Sequence, residues 1–174
     1  VFLKFLKVYV EQLLIMDTEK YTRVLCRLQA LCSRQECCSA DMRAKALKAM
    51  EGDCDAADSI VESLVNDRFV DDSRYASAFA REKSSLSGWG RQKILFMLIR
   101  KGIDRNTAEA ALGDVDDTSA MRRLDSVASA KFRALSSDPQ CRPKLLRFLL
   151  SRGYTYDEAY SAVDRVLNND STDF

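Results

Sequence analysis

The sequence predicts an all-α protein of three tandem three-helix repeats forming an elongated, curved helical array. Three observations carry that reading. The 174 residues include only two prolines, Pro139 and Pro143, and six glycines. That is too few for an all-β chain, whose hairpins use Gly, Asn or Pro at each turn. Apolar residues recur at the i, i+3, i+4, i+7 spacing of amphipathic helices. Gly52, Gly102 and Gly153 stand 50 and 51 residues apart, each closing a helical pattern as a left-handed C′ residue does. A period of that length marks a repeat architecture.

Residues 1–16, VFLKFLKVYVEQLLIM, form an N-terminal extension, disordered or a frayed amphipathic helix. A membrane span needs about 20 predominantly apolar residues, and Lys4 and Lys7 interrupt this shorter run. The small-residue cleavage site of a signal peptide does not follow it. Asp17 and Thr18 read as an N-cap, so ordered structure is expected to begin there.

Repeat 1 covers residues 17–69, and its leading helix carries Tyr21, Val24, Leu25, Leu28 and Leu31 on one face. Repeat 2 covers 70–115; it opens after Asp71 and Asp72 and turns Tyr75, Ala76 and Phe79 inward. Repeat 3 covers 116–168; it opens after Asp117 and Thr118, with Met121, Leu124, Ala128, Phe132 and Leu135 inward. Residues 169–174 are a polar tail expected to fray. After each glycine link stands a capping side chain: Asp55, Asp104 and Thr155. The second and third links align closely. Ile94 matches Leu145, Leu98 matches Leu149, Ile99 matches Leu150, Ala108 matches Ala159 and Ala111 matches Ala162. Such stripes are core. A fainter copy around residues 41–64 includes Leu47 and Gly52.

The chain has no histidine, which removes the commonest general base and metal ligand. Gly88-Trp89-Gly90 lacks the preceding strand that a phosphate-binding loop needs. The pairs Asp71-Asp72 and Asp116-Asp117 sit where helix caps are needed. Cys26, Cys32, Cys37 and Cys38 contain no Cys-x-x-Cys pair; with Cys54 and Cys141 they read as small buried hydrophobes and exposed free thiols. No catalytic residue, metal or cofactor is expected. An enzyme would need a deep pocket with several carboxylates. Trp89 is read as a hydrophobic staple for the helix that follows it, with contact to a partner as the alternative.

Charge is distributed unevenly. Residues 81–152 hold 15 Lys+Arg against 8 Asp+Glu, net +7, and the rest of the chain holds 12 against 18, net −6. Basic positions follow the repeat: Arg91 matches Arg142, Lys93 matches Lys144 and Lys101 matches Arg152. The first repeat keeps only Arg43 at these places, with Asp41 and Glu51 at the others. Lys101 and Arg152 close helices, where the dipole favours cations. The other four stand in first turns, where each opposes the dipole by a few tenths of a kcal/mol. They are either a solvated charged face or contacts for an anionic polymer. Replacing Arg91, Lys93, Arg142 and Lys144 with Ala is expected to weaken partner binding and to change stability by no more than about 0.5 kcal/mol.

The run DDSRYASAFAREKSSLSGWGRQKILFMLIRKGI, residues 71–103, resembles the central motif of the RecX family. Its matches are Asp71, Asp72, Arg74, Tyr75, Phe79, Arg81, Gly88, Trp89, Gly90, Leu98, Lys101, Gly102 and Ile103. KLLRFLLSRGYTYDEAYSAV is similar to the family's C-terminal repeat, so the resemblance runs over about residues 20–168. It implies three tandem three-helix repeats that bind RecA nucleoprotein filaments and also DNA, single- or double-stranded and weakly here. It further implies restraint of the ATPase and strand exchange of RecA by a cytoplasmic monomer, without cofactor or membrane. The residues expected to meet the filament or DNA are Arg81, Arg91, Lys93, Arg100, Lys101, Arg142, Lys144, Arg147 and Arg152. The alternatives are a helical DNA-binding protein acting without a recombinase and, more distantly, a helical enzyme.

Overall fold

Links of only a few residues between helices dictate the architecture, because short links force consecutive helices to pack side by side. The computed structural model describes residues 2–113 and 116–170, with side chains described over 17–113, 116 and 118–168. Among the described residues the chain is all-α: α1 (Phe2–Cys32), α2 (Ser39–Ala49), α3 (Cys54–Asn66), α4 (Asp72–Ser85), α5 (Arg91–Arg100), α6 (Arg105–Gly113), α7 (Asp117–Arg133), α8 (Cys141–Ser151) and α9 (Tyr156–Asp170). Of these, none is long and apolar enough to cross a membrane. The amphipathic reading of side chains 1–16, the close of repeat 2 at 114–115 and the end of the polar tail at 171–174 lie outside the described residues.

The three glycine links take the expected left-handed backbone, with φ of 96° at Gly52, 80° at Gly102 and 87° at Gly153. The residue after the glycine bonds back into the helix in the second and third: Ile103 N–H to Leu98 O at 3.1 Å and Tyr154 N–H to Leu149 O at 3.4 Å. This is the Schellman closure. In the first link Glu51 is also left-handed (φ 59°), and Gly52 itself donates to Leu47. The following cap is therefore Asp53, whose carboxylate accepts from Ala56 N–H at 3.0 Å. The sequence pointed instead to Asp55, which lies inside the first turn of α3. Asp104 caps α6 through Thr107 N–H, and Thr155 forms a reciprocal capping box with Glu158. The cap bonds hold Asp104, and likewise Asp116 at the start of α7, below the usual carboxylate range.

A second correction concerns the start of ordered structure. Asp17 and Thr18 do not begin a helix; α1 runs unbroken through them from Phe2. A capping residue stops acting as a cap when the residues before it also propagate helix, because its neighbours' N–H groups already have carbonyl partners.

The chain divides into two compact units, residues 1–75 and 76–174. In the first, Val24 and Leu28 of α1, Met42 and Ala46 of α2, and Ala57, Ile60 and Leu64 of α3 close one core with Val70. The start of α4 locks this unit. Asp71 caps its own helix, accepting from Ser73 and Arg74 N–H. Asp72 instead reaches α2, accepting from Ser39 N–H at 2.8 Å and from the Ser39 hydroxyl. It thereby caps a helix whose own N-cap residue, Cys38, gives no side-chain cap bond. Arg74 chelates Glu36 at 2.8 Å and donates to the Arg68 and Phe69 carbonyls. The acidic pair and its arginine are thus a structural clamp.

In the second unit the matched core positions are buried in pairs: Ile94 with Leu145, Leu98 with Leu149, Ala108 with Ala159, and Ala111 with Ala162. The matched pair Ile99 and Leu150 is not core; they are 38% and 40% exposed. Met121, expected inward, is 59% exposed. Both departures have one cause: α5, α7 and α8 each bury a narrow stripe, and apolar residues at its edge face out.

Candidate partner-binding surface

The loop before α5 determines where the basic side chains fall. The N-cap of α5, Gly90, has no side chain to offer, so the first-turn N–H groups turn to the end of α8. Gly90 N–H donates to Arg152 O at 2.8 Å and Gln92 N–H to Gly153 O at 3.2 Å. The positive end of one helix dipole thereby meets the negative end of another. Only glycine fits: a β-carbon at Gly90 would overlap the Gly153 carbonyl, and one at Gly153 would overlap the Lys93 backbone. Gly88 packs on Val127, and the buried Tyr154 hydroxyl donates to its carbonyl at 3.3 Å. Burial pushes that phenol above its ordinary pKa.

This seam explains cations that opposed their own helix dipoles. Lys93, in the first turn of α5, donates to Ser151 O at 3.1 Å, at the negative end of α8. Arg91 donates to Leu112 O near the end of α6 at 3.0 Å. Arg152 donates to Ser87 O and lies 5.0 Å from the Phe148 ring. In α8, Arg142 pairs with Asp164 at 2.6 Å and lies over Tyr160, and Lys144 pairs with Asp138. Lys144 holds Asp138 below the usual carboxylate range. The expected neutrality of removing Arg91, Lys93, Arg142 and Lys144 is therefore revised, because each makes a specific bond within the unit. Arg142 and Lys144 are paired with carboxylates in place, whereas Arg91, Lys93 and Arg152 meet carbonyl oxygens. Arg81, Arg100 and Arg147 are exposed, with Arg100 5.7 Å from the Phe96 ring. Lys101 forms the C-cap of α5.

The structure gathers some of these residues with two that the sequence reading missed. Lys93 Nζ lies 4.7 Å from the Trp89 ring centroid, and Lys83 Nζ lies 5.7 Å from it and 5.3 Å from Phe79. Trp89 packs edge-on against Phe79 at 6.3 Å, so it joins α4 to α5 rather than merely stapling α5. Lys131 lies 5.3 Å from Phe148, the ring Arg152 also covers. Lys83, Lys93, Lys131 and Arg152 thus form a chain of cations around Trp89 and Phe148, with Glu82 paired to Lys83 at 2.7 Å. A cation held over a ring gains about 0.5–1 kcal/mol at an exposed site and more where water is excluded. A signal for Lys83 and Lys131 was present. They lie 48 residues apart, like the buried pairs Ala76 with Leu124 and Ala80 with Ala128. Aligning on the glycine links alone hid this shorter offset.

A cavity of about 520 Å³ opens beside Trp89 and Arg91, reaching Met121, Tyr154 and Arg165. Its carboxylates are Asp157 and Glu158, and Glu158 is committed to its capping box. Among the described residues no three His, Cys, Asp or Glu side chains converge as a metal site. Cys37, Cys38 and Cys141 are buried, and Cys26 and Cys54 exposed. Burial, reinforced by Cys37, pushes the Cys32 thiol up to about 12, so it stays protonated.

Residues 71–112 match the family model described as RecX, second three-helix domain. The chain is 27% identical over 115 residues to the regulatory protein RecX of Clostridium tetani, covering 64% of this chain and 52% of that protein. It is 32% identical over 114 residues to that of Clostridium perfringens strain SM101, covering 63% and 53%. The chain spans about half the length of these curated relatives. Among solved structures, RecX from Lactobacillus salivarius superposes with a TM-score of 0.69 at 22% identity, covering 86% of this chain and 97% of that one. A second, titled regulatory protein RecX, gives 0.75 at 19% identity, covering 92% and 77%. At these identities the structures establish the shared fold.

Proposed function

The chain belongs to the RecX family, and on that premise we propose that it regulates homologous recombination by binding RecA nucleoprotein filaments and restraining their ATPase and strand exchange. The observation that carries this reading is the cation chain of Lys83, Lys93, Lys131 and Arg152 interleaved with Trp89 and Phe148. A nucleoprotein filament is a long polyanion, and cations in series displace its counterions at each contact. The rings hold the half-buried cations in place and offer edges for bases or apolar side chains. Arg81, Arg100 and Arg147, all exposed, extend the same electrostatics over α4, α5 and α8. The reaction chemistry stays with the recombinase; this chain acts by binding, as a monomer in the cytoplasm, without a cofactor.

The test is the ATPase rate of the cognate recombinase on single-stranded DNA as this protein is added. Turnover falls at sub-stoichiometric amounts under the proposed function. The interleaving of cations and rings also favours a second reading, a DNA-binding protein acting without a recombinase, since single-stranded nucleic acid is held by such surfaces. That reading gives DNA binding that weakens steeply with salt and an unchanged ATPase rate.

A further inference from the structure

We propose that the first unit carries a separate docking site: the groove between α1 and α2, which takes an acidic amphipathic helix of a partner protein. The groove has a volume of about 740 Å³ and an apolar floor of half-buried Leu31 and Ala49 over Val24 and Leu28 of the unit's core. Its polar lining is Arg27 and Arg34 on one wall and Lys45 and Lys48 on the other, with no carboxylate. All four cations are exposed.

This segregation is not inherited from composition. Residues 1–75 hold 11 Lys+Arg against 13 Asp+Glu, net −2. Elsewhere among the unit's described residues three cations have carboxylate partners: Lys20 with Glu51, Arg43 with Asp58, and Arg74 with Glu36. The groove gathers four with no carboxylate between them. Like charges gathered on one groove raise the free energy of the isolated chain, and an acidic occupant relieves it. The apolar floor selects the class of occupant. A phosphate backbone has no apolar group to cover the half-buried Leu31 and Ala49. A helix with leucine-type anchors on one stripe and carboxylates flanking it fits both floor and walls, in the helix-in-groove mode. Two parallel basic walls also match the two flanks of such a helix. The site is built from residues of the first unit alone and stands independently of the recombinase reading.

The experiment titrates the full chain into a fluorescein-labelled designed peptide of about 18 residues, with leucines at helical i, i+3, i+4, i+7 spacing and glutamates beside them. A scrambled peptide of the same composition and a labelled oligothymidylate run in parallel. The designed peptide binds, and K45E/K48E weakens it about tenfold. R27Q/R34Q weakens it from the opposite wall, which guards against one variant that fails to fold. The scrambled peptide binds less, and oligothymidylate affinity is the same for K45E/K48E as for the unmodified chain. The proposal is overturned if the designed peptide does not bind, if both variants bind it unchanged, if scrambling has no effect, or if the variants lose the oligonucleotide instead.

Discussion

Replacing Gly153 with alanine is expected to lower the unfolding free energy by about 3 kcal/mol, and the same change at Gly52 by about half of that. Both glycines are left-handed, with φ of 87° and 96°, so alanine meets a similar conformational cost of roughly 1–2 kcal/mol at each. Their surroundings differ. A β-carbon at Gly52 has nothing within 4 Å, whereas one at Gly153 overlaps the backbone and β-carbon of Lys93. Relieving that overlap means separating α5 from the end of α8. The bonds from Gly90 and Gln92 N–H to the Arg152 and Gly153 carbonyls are lost with it. Urea denaturation of the two variants isolates the packing part, because the backbone part is shared. Equal midpoint shifts would mean that the close approach at Gly153 contributes nothing. G90A, whose β-carbon overlaps the Gly153 carbonyl at an ordinary extended φ of −76°, should show the packing part alone.

The second large effect is on binding. K83Q/K131Q is expected to raise the concentration that half-inhibits the recombinase ATPase about tenfold, and to reduce the log–log salt slope of binding by about 2. Neither lysine donates to a carbonyl of the seam, and their ring contacts are worth about 1 kcal/mol or less each, so helicity and the denaturation midpoint should be nearly unchanged. These lysines separate partner contact from architecture better than Arg91 or Lys93 do. The latter donate to Leu112 O and Ser151 O, so their removal weakens the fold and the surface together. Full inhibition by K83Q/K131Q would remove the cation chain as the contact surface.

Much of the fold was legible because its signals are local. A left-handed glycine after an apolar stripe, then an acidic or hydroxyl cap, needs only a few neighbouring residues to act, and Gly102–Asp104 and Gly153–Thr155 behave as read. Signals that depend on distant chain were misread or silent. Asp72 looks like a cap for α4 and is one for α2, 33 residues away. The face of Ile99, Leu150 and Met121 depends on where neighbours stop, and no spacing rule states that. The repeating first-turn cations looked like ligands for an outside anion. Their first partners are inside: carbonyls at the ends of α6 and α8 for Arg91 and Lys93, and carboxylates for Arg142 and Lys144. Conversely, the basic groove of the first unit was hidden by that unit's acidic total. Arg27 and Arg34 face Lys45 and Lys48 only once α1 and α2 are packed.

Trp89 is the only tryptophan, and it touches Lys83, Lys93 and Phe79. A 5-fluorotryptophan label therefore reports on the centre of the cation chain through a single fluorine resonance. Titrating recombinase–DNA filaments into the labelled chain should shift or broaden that resonance saturably, over the same range in which ATPase turnover falls. A resonance that stays put while turnover falls would mean that the filament is held by some other surface.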